Sequence, residues 1–339
     1  MVVVGTGTKK DPILLEKLVG DEVPEELRIK TYFDFEKYPF EHKALFDDSK
    51  NVVDVLGKIG DYSKKWLNET IEERRVSKKP QTKVFKHVGL EAELTEENIG
   101  KRFIGSYEVL VEDGAIFRPG RIVGNLKNDG KLHRIYVAKG AQVYGEEINL
   151  ENGDIYIGEG SKVRASYIGG STIIGKNNTI NPGAKLREKI VIGDGCTLGG
   201  ELKNTVIMNG VQKPHFSYAG DSILGAYSHF GDRVTAANYE IFQLLRDTAK
   251  NIGIEIKGKY YDAGTTKMGV ILGDRSQIGC GSVTAPGTLI GKESVFTALV
   301  PFEPKVFGEH TFIRYAPMDE LVQAGVLKPG NVDLARLNN

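Results

Sequence analysis

The chain has 339 residues with 45 Lys plus Arg and 45 Asp plus Glu, so no net field draws it toward nucleic acid or an anionic membrane. Its two cysteines, Cys196 and Cys280, are too few for a disulfide framework and suit a reducing compartment. No apolar run approaches the roughly 18 residues that span a bilayer. The opening MVVVGTGTKK lacks the apolar stretch and cleavage site of a secretory leader, so a cytoplasmic protein without a membrane partner is expected.

In chain order, VVVGTGTKKDP carries Gly5 and Gly7, but no βαβ-length context follows and the pair reads as a flexible terminus rather than a phosphate loop. The aromatic-rich TYFDFEKYPFEHKALF is expected to pack the first region onto its neighbour. Next, DDSKNVVDVLGKIGDYSKKWLNETIEERR sets Val52, Leu56, Ile59, Trp66 and Ile71 at helical spacings, with Asp47 to Ser49 available as a cap. Residues 1–100 therefore read as a helical N-terminal region. Only 7 of the 41 glycines fall in it, and the architecture changes where they become frequent. Residues 101–154 read as a β-rich connection, beginning with SYEVLVEDGAIF and its turn-forming Asp113-Gly114.

From there the pattern is a short internal period, which marks a solenoid. Ile174, Ile180, Leu186, Ile192 and Leu198 are apolar residues six apart, and IGKNNT, INPGAK, IGDGCT and LGGELK show glycine or a small polar residue next. Leu224 and Phe230 head LGAYSH and FGDRVT, and Leu272, Ile278 and Ile290 head LGDRSQ, IGCGSV and IGKESV, with Thr284 a weak head between them. A six-residue unit makes one short strand and one turn, and three units close a triangular coil whose apolar heads stack inward on the next. The expected fold is mainly β: a left-handed parallel β-helix over 155–300. A β-sandwich would instead show longer alternating strands with turns every 8–12 residues or so.

An insertion at 239–268 interrupts the repeat, with a short helical stretch and an extended IEIKGKYYD segment. Loops projecting from a rigid coil are where chemistry usually sits. The tail 301–339, with PMDELVQAG as a short helix, reads as a C-terminal cap over the last coil's open edge.

Of the six histidines, His215 stands out because ELKNTVIMNGVQKPHFSYAGDSILG leads directly into a new repeat. This block resembles a motif of the acetyltransferase domain of the bifunctional glucosamine-1-phosphate acetyltransferase and N-acetylglucosamine-1-phosphate uridylyltransferase family, particularly its archaeal-type members. Further matches are KLRE around Arg187, ANY at Asn238 and Tyr239, and TTKMGVILGD with Lys267; the resemblance covers roughly residues 155–300.

The resemblance implies an acetyl-CoA-dependent N-acetyltransferase acting on glucosamine-1-phosphate or a related amino-sugar phosphate. His215 would be the general base and Glu201 its orienting partner, a role suited to a side chain whose unperturbed pKa is near 6.5. Arg187, Lys203 and Lys267 would hold the sugar phosphate, with Tyr218, Asn238 and Tyr239 positioning the sugar. Cys280 and Ala298 stand where the family's small residues meet the cosubstrate, and a homotrimer is expected. The glycine-rich nucleotide loop of the uridylyltransferase half is absent, so that activity is expected to be missing. His229 stands where the family usually has asparagine, and Asp232, Arg233 and Val234 where it has small residues.

Two other readings stay open. A zinc hydratase on the same coil needs three converging histidines, whereas His215 and His229 are 14 residues apart rather than one coil of roughly 18, and no metal is expected. A non-catalytic trimeric scaffold or nucleotide-sugar-binding protein would keep the coil without the catalytic geometry.

Overall fold

A computed structural model describes residues 5–88, 103–127, 129–300, 302 and 305–314; the expected cap helix PMDELVQAG lies outside them. The chain winds as a parallel β-helix with three sheet faces. The face that is clearest in register is a sheet of ten stacked strands, running through Lys162–Arg164, Thr179–Ile180, Thr197–Leu198, Gln212–Lys213, His229–Phe230, Gln277–Ile278 and Val295–Phe296. The repeat heads all point inward: Ile174, Ile180, Ile192, Leu198, Leu224, Phe230, Leu272, Ile278 and Ile290 form one apolar column system, at roughly 1.5–3 kcal/mol per large side chain removed from water. Thr284, the weak head, also points inward opposite Ala236, and its hydroxyl has no hydrogen-bond partner.

The stacking begins upstream of the segment where the six-residue period is legible. Phe103–Val111 pairs in parallel with His133–Val137, which pairs in turn with Ile155–Ile157. Extra corner residues hide the period there: Val143 and Val163 are register partners 20 residues apart, whereas Val163 and Ile180 are 17 apart. The Asp113-Gly114 turn is accordingly a coil corner rather than a hairpin, since Ile116 beyond it donates its N–H to Ala141 of the next coil.

One face of the β-helix is covered by the N-terminal region. A 25-residue helix, Asp54–Lys78, lays Val55, Leu56, Ile59, Leu67 and Ile71 on the outward residues Tyr136, Tyr156, Ile173, Val191, Val206 and Ile223. Its start is fixed by Asn51, whose Oδ1 accepts from the N–H groups of Val53 and Asp54 at 3.0 Å each; the cap expected at Asp47 to Ser49 moves here because Val52 and Val53 form a turn before the first helical residue. Gly60 allows close approach, since a Cβ there would lie 3.2 Å from the Lys189 stem, and Ser63 meets Ser171 at 2.7 Å. At the far end the Arg75 guanidinium grips Glu108 through two bonds of 2.8 and 2.6 Å.

The aromatic segment packs as its composition suggests, with Tyr32, Phe33, Phe40 and Phe46 buried. The insertion also turns back onto this covered face. Gly253–Ile256 and Lys259–Asp262 form an antiparallel hairpin through Lys257 and Gly258, both at positive φ, and Ile13–Leu14 adds a parallel strand. Its helical part is a single 3₁₀ turn, Gln243–Leu245.

Candidate active site

The neighbouring face carries the polar residues singled out in the sequence. Register stacks Lys185 on Glu201 and Glu201 on Tyr218, so the strands that begin at these residues bring Arg187 and Lys203 side by side in adjacent coils. Arg187 Nη1 donates to Glu201 Oε1 at 3.1 Å, and Lys185 Nζ stands 4.0 Å from the other oxygen. Glu188 lies between the two phosphate-binding candidates, 3.5 Å from Lys203 and 3.8 Å from Arg187. Three cations thus face two carboxylates, leaving a local excess of positive charge on a half-exposed surface. The bond to Glu201 holds the Arg187 guanidinium still further above its ordinary value.

Tyr218 and Asn238 converge over Gly220, where a Cβ would fall 2.2 Å from the tyrosine hydroxyl and 2.8 Å from the asparagine amide, so only glycine leaves room for both. Asp221, at positive φ and nearly buried, fixes this corner: it accepts from Asn204 at 2.9 Å and from Asn238 at 2.5 Å. Burial pushes the Tyr218 hydroxyl above its ordinary pKa. Asn238 also closes the neck of the insertion, accepting through its carbonyl from the N–H of Met268 at 3.0 Å, which sets the Lys267 amine over the Tyr239 ring at 5.6 Å.

His215 sits at the edge of this face. Counted two residues on from the inward Lys213, Phe230, Ile278 and Phe296, successive coils present His215, Asp232, Cys280 and Ala298 on one corner. His215, Cys280 and Ala298 are all exposed there. Close packing demands small residues along part of the edge: a Cβ on Gly231 would meet the Cys280 backbone at 2.6 Å, and one on Gly279 the Ala298 backbone at 2.4 Å. The imidazole of His215 makes no hydrogen bond among the described residues, and Glu201 is engaged by Arg187 instead, so the expected orienting contact is not made within one chain. His229 is half-buried in the adjacent coil, and burial holds its pKa below the ordinary value.

Beyond these residues, Glu188 and Asp221 complete the site through the ion pairs and amide bonds above; both lie inside the matching blocks KLRE and ELKNTVIMNGVQKPHFSYAGDSILG, but neither is among the site residues the resemblance implies. Among the described residues, no group of three His, Cys, Asp or Glu side chains is placed to hold a metal ion, and no helix is long and apolar enough to cross a membrane. The insertion beside the site turns its chemistry inside out. Gln243 is buried and bonded to the Lys250 backbone, while Ile241, Leu244 and Leu245 are 83%, 84% and 81% exposed.

No family model matches the chain. Among curated proteins it is similar to the "Bifunctional protein GlmU" of Clostridium novyi, 30% identical over 52% of this chain and 32% of that one. It is similar also to the "Bifunctional protein GlmU" of Methanocaldococcus jannaschii, 27% identical over 73% and 60% respectively. A "Bifunctional sugar-1-phosphate nucleotidylyltransferase/acetyltransferase" of Sulfurisphaera tokodaii is 34% identical over 34% of this chain and 27% of its own. The matches thus span between about a quarter and three fifths of the length of these relatives. The chain is thus a β-helix of stacked coils built from six-residue units that is similar, over part of their length, to GlmU-type bifunctional proteins.

Proposed function

We propose that the protein transfers the acetyl group of acetyl-CoA to the amine of glucosamine-1-phosphate or a related amino-sugar phosphate, as a homotrimer and without uridylyl transfer. The observation that carries this reading is the single face on which Arg187 and Lys203 lie beside Tyr218 and Asn238, next to the edge bearing His215. A phosphate dianion arriving between Arg187 and Lys203 competes with Glu188 and Glu201 for these cations. Displacing Arg187 frees the Glu201 carboxylate to orient the imidazole.

His215 then accepts a proton from the sugar amine as its nitrogen attacks the thioester carbon, and returns that proton to the departing CoA sulfur. Backbone N–H groups at the coil corners supply donors for the oxyanion of the tetrahedral intermediate. The edge through Cys280 and Ala298 offers the cosubstrate a track of small side chains leading to His215. The trimer is supported by the open, one-sided form of the face and by the exposed apolar residues of the insertion beside it. The absence of uridylyl transfer is supported by the N-terminal region, where the described residues build 3₁₀ turns, a covering helix and short strands instead of a nucleotide-binding βαβ unit.

The test is thiol release from acetyl-CoA with glucosamine-1-phosphate, galactosamine-1-phosphate and unphosphorylated glucosamine as acceptors. Release that requires the phosphate supports the reading and names the sugar. Equal background with every acceptor would favour a non-catalytic, nucleotide-sugar-binding role, the alternative suggested by Glu201 being held away from His215.

A further inference from the structure

Lys213 occupies a position meant for a hydrocarbon. Its register partner on one side is Leu198, itself paired with Ile180, and Phe230 follows on the other, so the side chain enters the inward apolar column and is fully buried. The coil geometry explains how an amine is tolerated there. At the corner leading to the site face, register partners Leu186, Leu202, Ala219, Ala236 and Thr284 mark the next inward residue. That residue comes six positions after Ile180, Lys213, Phe230 and Ile278, but only four after Leu198. The full-length corners place Ala184, Val234 and Ser282 inside; the shortened Gly199-Gly200 corner has no such residue.

Lys213 reaches into this gap. Its Nζ donates to Gly199 O at 2.8 Å and to Ser217 O at 3.0 Å, tying the shortened corner to the turn that carries His215. The same Ser217 carbonyl accepts the N–H of Glu201 at 2.8 Å. The fit beneath the turn is tight: a Cβ on Gly199 would lie 2.3 Å from Pro214 O, and one on Gly200 2.2 Å from Ser217 O.

We propose that Lys213 is a positioning residue for acetyl transfer, its buried amine clamping the turn Pro214–Ser217 so that His215 and Glu201 hold a fixed relation across the corner. The role rests on the transfer reading given above. Burial also lowers the amine's pKa to about 7, Glu201 opposing, which suits a group that donates to two carbonyls without needing a full counter-charge.

The experiment uses the full chain with Lys213→Met, and Lys213→Leu as a second hydrocarbon filler should the first fail to fold. Thermal midpoint, kcat and KM for the sugar phosphate, and hydrogen exchange of the amides of Glu201 and residues 215–217 are measured side by side. The expected result is a midpoint at or above wild type, kcat lower by at least ten-fold with KM within about three-fold, and faster exchange in the turn. A loss of stability alone would move all these readouts together and would not give a more stable but slower protein. Unchanged kcat or unchanged exchange overturns the proposal. Wild type that transfers no acetyl group removes the reading on which the role rests, while exchange in the turn still decides whether the amine clamps it.

Discussion

Arg187 and Lys203 meet carboxylates in the free chain, and this fixes the sign of two opposite substitutions. Arg187→Ala should raise KM for the sugar phosphate about ten- to a hundred-fold, because charge-assisted bonds to phosphate are worth roughly 1.5–3 kcal/mol. Glu188→Gln, which removes the competing carboxylate, should lower that KM a few-fold; steady-state kinetics with acceptor varied checks both, and equal effects of the same sign would refute the competition. Lys213 makes a separate thermodynamic prediction. Its amine is held down to about 7 in the folded chain against an ordinary value of 10.5, so folding expels a proton between those values. The stability this site contributes is fully present above pH 10.5 and is lost as pH falls toward 7. Lys213→Met should therefore be the more stable protein near pH 7, on the order of 4 kcal/mol at most, with the difference from wild type shrinking as pH rises. Denaturant melts of both proteins from pH 7 to 10 measure it, and a pH-independent difference would contradict the assignment.

At the scale of elements, the long helix and the β-helix share one apolar seam, so they should unfold together. Trp66, the one tryptophan in the chain, lies on that seam 5.2 Å from Tyr156, and its fluorescence should melt at the same temperature as the far-ultraviolet signal of the coils. Ile59→Ala, at a fully buried seam position, should cost about 2–5 kcal/mol and lower both transitions equally; two separated transitions would show that the layers are independent. Much of this architecture was legible in the sequence, because a six-residue period of inward heads from Ile174 to Ile290 leaves few alternatives. The coils before Ile155 were hidden by corners of unequal length, and the hairpin Gly253–Asp262 by its pairing with Ile13–Leu14 far away in the chain. The polar face was found through His215 and its motif. Lys213 stands six residues after the inward Ile207 and six before the inward Ala219, but a lysine at a head position reads as surface, and only the shortened Gly199-Gly200 corner shows why it turns inward.

At the scale of the whole molecule, acetyl transfer at this open face calls for a second chain to complete it. Trimerisation should give a solution mass of about 112 kDa, three chains of 37.3 kDa. Leu244→Asp with Leu245→Asp should shift it downward, since two of the three most exposed apolar side chains beside the site would then carry charge. A mass that stays at three chains in the double variant would place the contact elsewhere, and a wild-type monomer would contradict the trimer itself. Acetyl transfer at the corner bearing His215 is tested by acceptor-dependent thiol release from acetyl-CoA by wild type and His215→Ala at equal solution mass and thermal midpoint. Release should depend on the amino-sugar phosphate and fall at least a hundred-fold or so in the variant; acceptor-dependent release that survives the loss of the imidazole would contradict a general-base role for His215.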